Sequence, residues 1–320
     1  EDDDVGEIVV SNGVRELLTF GATAMRFSGI AVLLGLVIDA VAIGPAAPAQ
    51  VEATEGFLSG LGGLALLVAL GSGAWLVGTL SAVANHHGFT LRRTPAALVA
   101  AQGLLTTRQA VLRLSKVQVV SIIEPWLRRW FGFASVTIET AAAREGGEGI
   151  QQSEAMVPYA RPVDVDKVVE AAMPQVQGFR SAQLTLTPPH RLALVRSLAA
   201  SVTQSGLFAA AVGWWFFPYG LLALLTVPIA IASAVLDHRY QGWSLDDKLI
   251  VSRRGYLDRR TWLLSRDKIQ ATAVVQGPIL RRYGLGILQV RVAGSVVSLP
   301  AMRFEEATGL QARLLDERRR

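Results

Sequence analysis

The chain has 320 residues, of which 51% are hydrophobic and 18% charged; a soluble domain usually approaches a quarter charged, so the apolar residues must be concentrated in particular segments. Cysteine is absent, which excludes disulfides, thiolate zinc sites, iron–sulfur clusters and cysteine nucleophiles. The formal net charge of +5 is modest, and its arginines sit beside apolar stretches, which suits membrane topology and anionic headgroups and argues against nucleic acid as a partner.

Residue 1 is Glu where an initiator methionine would stand, so the gene product is expected to begin upstream. The opening Glu1-Asp2-Asp3-Asp4 lacks the basic start of a signal peptide. Residues 1–26 read as an extended segment and an elbow helix, with Ser11 as a candidate N-cap.

Residues 27–84 read as a membrane hairpin with spans at 27–43 and 57–84. The intervening loop carries Glu52 and Glu55 and no Lys or Arg. Asp39 is the one acid within a span; a proton or ion relay is one reading, and a side chain reaching headgroups from near the helix end is the plainer one.

Residues 88–175 carry a β pattern. A strand pair hinged at Gly103 leads to strands at 117–123, 135–140 and 156–159, a short helix at 125–131, and a closing amphipathic helix at 163–173.

A linker and second elbow helix follow at 180–197, with Thr187 as N-cap and Pro188 in the first turn. Residues 198–236 contain no charge, about twice the ~20 residues that cross a bilayer, so the chain must turn back. The turn falls at Phe217-Pro218-Tyr219-Gly220, giving spans at 198–217 and 221–236, with Trp214, Trp215, Phe216 and Tyr219 as an interfacial belt. Residues 240–318 repeat the β pattern, with strands at 269–275, 288–292 and 296–299, a short helix at 278–283 and a closing helix at 304–318.

Both halves are copies of one unit. A shift of 152 residues carries Gly103 onto Gly255, Lys116-Val117-Gln118 onto Lys268-Ile269-Gln270, Arg129 onto Arg281 and Gly132 onto Gly284. Arg15, Arg26, Arg92, Arg93, Arg191, Arg196 and Arg239 flank one set of span ends. The positive-inside rule therefore places both termini and both β domains in the cytoplasm.

In these residues the chain resembles the YdbT-like family of bacterial membrane proteins with tandem pleckstrin-homology (PH) domains. The resemblance rests on the GLL…R…L…K(V/I)Q…P…R…G run in each copy, the short helix before Gly132 and Gly284, and the alternation of hairpin with β domain. It implies a multi-pass α+β membrane protein of the bacterial cytoplasmic membrane, with four transmembrane helices in two hairpins. Each hairpin is followed by a PH-like barrel or sandwich capped by a C-terminal helix. It also implies that a further N-terminal unit precedes this chain, and an envelope-stress or scaffold-like role without a reaction.

The candidate contact residues for a protein or the membrane are Trp126, Arg128, Arg129, Trp130 and Phe131, with Arg281 and Arg282 in the second copy. Trp and Arg together favour interfaces. Arg92, Arg93, Arg253 and Arg254 are headgroup candidates. PH domains that read phosphoinositides cluster basic residues between their first two strands; that loop offers Arg92 and Arg93 in one copy but Asp246 and Asp247 in the other, which argues against phosphoinositide specificity. His86, His87 and His238 lack metal-ligand spacing, so neither a metal nor a cofactor is expected. No catalytic constellation appears. The sequence thus points to a non-enzymatic scaffold that binds copies of itself or another membrane protein at membrane lipids. The alternative is a lipid-handling protein whose domains gate a groove between the hairpins.

Overall fold

In a computed structural model, which describes residues 6–23, 53–141 and 154–316, glycine fixes the same corner in each repeat. Gly103 and Gly255 both adopt positive φ, 117° and 80°. A Cβ on either would lie 2.1 Å from Thr106 O or 2.3 Å from Asp258 O, so only glycine makes this turn.

The strands are β1 (Glu7–Ser11), β2 (Thr90–Arg93), β3 (Ala97–Gln102), β4 (Arg108–Arg113), β5 (Val117–Pro125), β6 (Ala134–Thr140) and β7 (Glu154–Ala160) in the first copy. The second copy supplies β8 (Gly242–Leu245), β9 (Leu249–Arg254), β10 (Asp258–Ser265), β11 (Ala271–Val275), β12 (Leu285–Val292), β13 (Ser295–Ser298) and β14 (Met302–Arg303). The helices are α1 (Val14–Ala22), α2 (Ala53–His86), α3 (Trp126–Trp130), α4 (Pro162–Ala172), α5 (Arg191–Trp215), α6 (Thr226–Tyr240), α7 (Pro278–Arg282) and α8 (Phe304–Asp316).

The chain divides into two compact units, one of Ser11–Phe89 with Ala101–Arg108 and one of the remaining residues. In the smaller unit α1 packs on α2. Trp75 Nε1 donates to Ala22 O at 3.1 Å, and the Leu104 N–H donates to Ala84 O at 2.9 Å, tying the Gly103 turn to the end of α2.

The larger unit holds both β modules and the hairpin of α5 and α6. Its central feature is a sheet of order β7-β6-β5-β10-β9-β8, in which strands of the first copy continue into strands of the second. At the seam β10 runs antiparallel to β5 from Asp258 opposite Pro125 to Leu264 opposite Val119. The core crosses with it: Val119 is fully buried in a cluster with Ile250, Leu264, Leu288, Val290 and Leu310 of the second copy. Two modules that share a sheet and a core form one body.

Among the described residues, three helical stretches are long and apolar enough to cross a membrane: Val68–His86, Arg191–Trp215 and Gly220–Tyr240. The last two bury 11% of their most apolar windows within the protein, and helices apolar on every face need an apolar surrounding. The α5–α6 turn is close: a Cβ on Gly220 would lie 2.3 Å from Val212 O. The expected span at 27–43, and Asp39 within it, lie outside the described residues.

The expected caps are corrected. Ser11 belongs to β1 and Thr187 exchanges two backbone hydrogen bonds with Trp243, at 2.7 and 3.0 Å, because both residues are used as extended chain at a sheet edge. The caps are Gly13, whose N–H donates to Glu16 Oε2 at 2.9 Å, and His190, whose Nδ1 accepts the Leu192 N–H at 3.3 Å. The second elbow helix is no separate element, since α5 runs unbroken from Arg191 to Trp215.

Candidate functional site

Helix α3 is five residues long, entered through Pro125 and ended by Gly132 at φ 73°, which lets the Gly132 and Phe133 N–H groups close on Arg129 O and Arg128 O. Helical spacing puts Trp126 and Trp130 on one face. Both are exposed, Trp130 at 77%, and the neighbouring Phe131 at 58%; the Trp130 and Phe131 ring centroids lie 6.0 Å apart. Three large rings thus stand on the surface together.

Arg128 faces the other way and is 7% exposed, so it is a buried anchor and no surface contact. Its Nη1 donates to Ser135 Oγ at 2.7 Å, and that hydroxyl donates to Pro158 O. Burial lowers its pKa to about 10 against the opposing pull of Asp258, which leaves the guanidinium charged at neutral pH.

Arg129 stands over the Tyr256 ring at 5.1 Å, and Tyr256 packs on Tyr240, the last residue of α6, at 5.0 Å. The Tyr256 N–H donates to Asp237 Oδ1 at 2.6 Å, while the Trp126 N–H donates to Leu257 O at 2.7 Å. The Gly255 turn therefore joins the aromatic helix of the first copy to the base of the hairpin.

Beneath this contact Arg259 grips Glu124 across the seam with two bonds, Nε to Oε2 at 2.9 Å and Nη2 to Oε1 at 2.7 Å. Together with Arg129, Arg253 and Thr261 the pair lines a cavity of about 280 Å³. Arg253 donates from Nε to Thr261 Oγ1 at 3.1 Å; burial, then the charge of Arg259, lowers its pKa, and Glu124 opposes this. Burial likewise comes first in lowering that of Arg129.

The remaining candidates are dispersed. Arg254 follows Arg253 on β9, so its side chain leaves by the opposite face of the strand; its Nη2 donates to Leu299 O at 2.9 Å. Arg92 and Arg93 are half-buried on β2. Arg281 and Arg282 are exposed at the end of α7, whose Leu280 packs with Ala193 at the base of α5. Among the described residues no cluster of three or more His, Asp or Glu is placed to hold a metal ion.

Sequence reasoning missed the Tyr240–Tyr256 contact and the Glu124–Arg259 clamp. A signal for the clamp exists in the repeat: the shift of 152 carries Glu124 onto Gln276 and Arg259 onto Thr107. The charges are present only where one copy meets the other.

The family model described as Bacterial PH domain matches residues 30–174 and again residues 193–318. The UPF0699 transmembrane protein YdbT of Bacillus subtilis (strain 168) is 23% identical over 228 residues, covering 69% of this chain and 44% of the relative. The chain thus spans less than half the length of that curated relative. No solved structure matches.

Proposed function

The chain belongs to the bacterial PH domain family, carrying the domain twice, and on that premise we propose that this membrane protein is a non-catalytic scaffold of the bacterial cytoplasmic membrane. In this reading the fused PH pair lies against the inner leaflet, both termini are cytoplasmic, and the face around α3 binds another copy or a second membrane protein. A role in protecting the envelope under stress fits such a scaffold.

The observation that carries the reading is the cluster of Trp126, Trp130 and Phe131, exposed beside the base of a hairpin and held there by Arg129 and Tyr256. Exposed rings on a rigid body make effective contact anchors, because little side-chain entropy is lost on binding. The shared sheet supports the same conclusion, since a body continuous across two modules positions that anchor without hinge motion.

The test is a photo-crosslinking residue in place of Trp130 in intact membranes. Discrete protein adducts are expected, lost when Trp126 and Phe131 are both changed to Ser. Adducts to lipid alone, with a monomer after purification in detergent, would overturn the scaffold reading.

A further inference from the structure

The base of the α5–α6 hairpin encloses a cavity of about 220 Å³ whose walls include Arg196 and Ser201 of α5, Asp237 and His238 of α6, and Arg254 of β9. Its two guanidiniums are incompletely satisfied. The Nε atoms of Arg196 and Arg254 are both buried without a hydrogen-bond partner. Beyond the single bond from Arg254 to Leu299 O, neither arginine has a polar partner among the described residues.

Asp237 is the one acid in the lining among the described residues. It forms no ion pair with either arginine among the described residues, and its Oδ1 accepts the Tyr256 N–H. Ser197 and Ser233 also line the cavity, but their hydroxyls donate to Leu194 O and Ala230 O of their own helices. The donors left in the lining are the two Nε groups, the Ser201 hydroxyl, the His238 ring and the Gln241 amide. Two half-buried cations that repel each other, each with a buried and unpartnered Nε, gain from an anion placed between them. Consistent with this, burial and then the charge of Arg196 both lower the pKa of Arg254.

We propose that this cavity binds the phosphate of an anionic phospholipid. The chemistry is a phosphate oxygen accepting from Arg196, Arg254, Ser201 and His238, since guanidiniums are suited to phosphate. The position selects the source. Arg196 lies in the second turn of α5 and His238 in the last turn of α6, which is headgroup depth if these helices cross the bilayer, and exposed side chains such as Leu207 and Phe208 continue along α5 toward acyl chains. The inference rests on the membrane reading above. It does not use the loop between the first two strands of the second copy, where Asp246 and Asp247 would repel an anion.

The test uses the full chain in nanodiscs of phosphatidylcholine, with phosphatidylglycerol added in steps and retained lipid counted by native mass spectrometry. Wild type is expected to retain phosphatidylglycerol roughly thirtyfold more tightly than the double variant R196Q/R254Q. Ser201→Leu, which fills the cavity and leaves both charges, should lose retention too, while Arg313→Gln, an exposed charge on α8 that is not part of this lining, should keep it. Equal retention by wild type and R196Q/R254Q overturns the inference, and so does displacement of the lipid by micromolar inorganic phosphate, which would mark a soluble-anion site. Insertion into nanodiscs is scored separately: a wild type that fails to insert refutes the membrane reading, whereas insertion without lipid preference refutes the phosphate site alone.

Discussion

Among the described residues, Glu124 is the only carboxylate lining a cavity that also holds Arg129, Arg253 and Arg259. Its bond to Arg259 leaves side-chain exposures of 21% for the arginine and 20% for the glutamate, so the pair is substantially shielded and the two partners are not equivalent. Removing Arg259 leaves Glu124 close to Arg129 and Arg253. Removing Glu124 leaves three guanidiniums with no counter-charge in the lining. Glu124→Gln is therefore expected to cost about 2–4 kcal/mol of stability and Arg259→Gln about 1 kcal/mol. The double variant should resemble Arg259→Gln alone, with a coupling energy of about 2–4 kcal/mol in a double-mutant cycle read by chemical denaturation. Equal single losses that simply add would show the seam clamp to be energetically idle.

The strand pair β5–β10 makes a second, independent claim on the same seam. Val119 belongs to the first copy by sequence but to the core of the second by burial. Truncating Val119→Ala should destabilise the protein by about 1–2.5 kcal/mol through the cavity left behind. Hydrogen exchange should then speed up in β10 and β12 of the second copy as well as in β5, because the modules unfold together; a loss of protection confined to β5 and β6 would show two independent modules. Much of this architecture was legible beforehand. The repeat, the strands at 117–123 and 135–140, the short helices and both closing helices announce themselves through local period and glycine placement. The seam did not, because β10 pairs with a strand more than a hundred residues away and alternation alone does not choose among open edges. The caps were misread for a related reason. Ser11 and Thr187 have the chemistry of caps, yet the fold uses them as extended chain, and no local pattern reports that competition. At the candidate site the exposed rings were recognisable as a cluster, whereas the inward turn of Arg128 depends on Ser135 and Pro158, which only the fold brings near.

Across the whole chain, the distribution of arginine is what the proposed membrane orientation rests on. The α5–α6 turn carries aromatic residues and no charge, while Arg191, Arg196 and Arg239 lie at the opposite ends of the same helices. The sequence expected to form the first hairpin has the same asymmetry, with Glu52 and Glu55 in one loop and Arg15, Arg26, Arg92 and Arg93 beyond the other ends. Translocating several arginines is far costlier than translocating an uncharged turn, so the proposed topology places the arginine-bearing ends in the cytoplasm. Because the chain has no cysteine of its own, single introduced thiols report this directly. Phe217→Cys, at an apex position 74% exposed, should react with a membrane-impermeant maleimide in intact cells. Arg282→Cys, exposed at the end of α7, should react only after the membrane is opened. The reverse pattern would put the PH pair outside the cell, away from the leaflet that both the scaffold and the phosphate site require, and neither proposal would survive it.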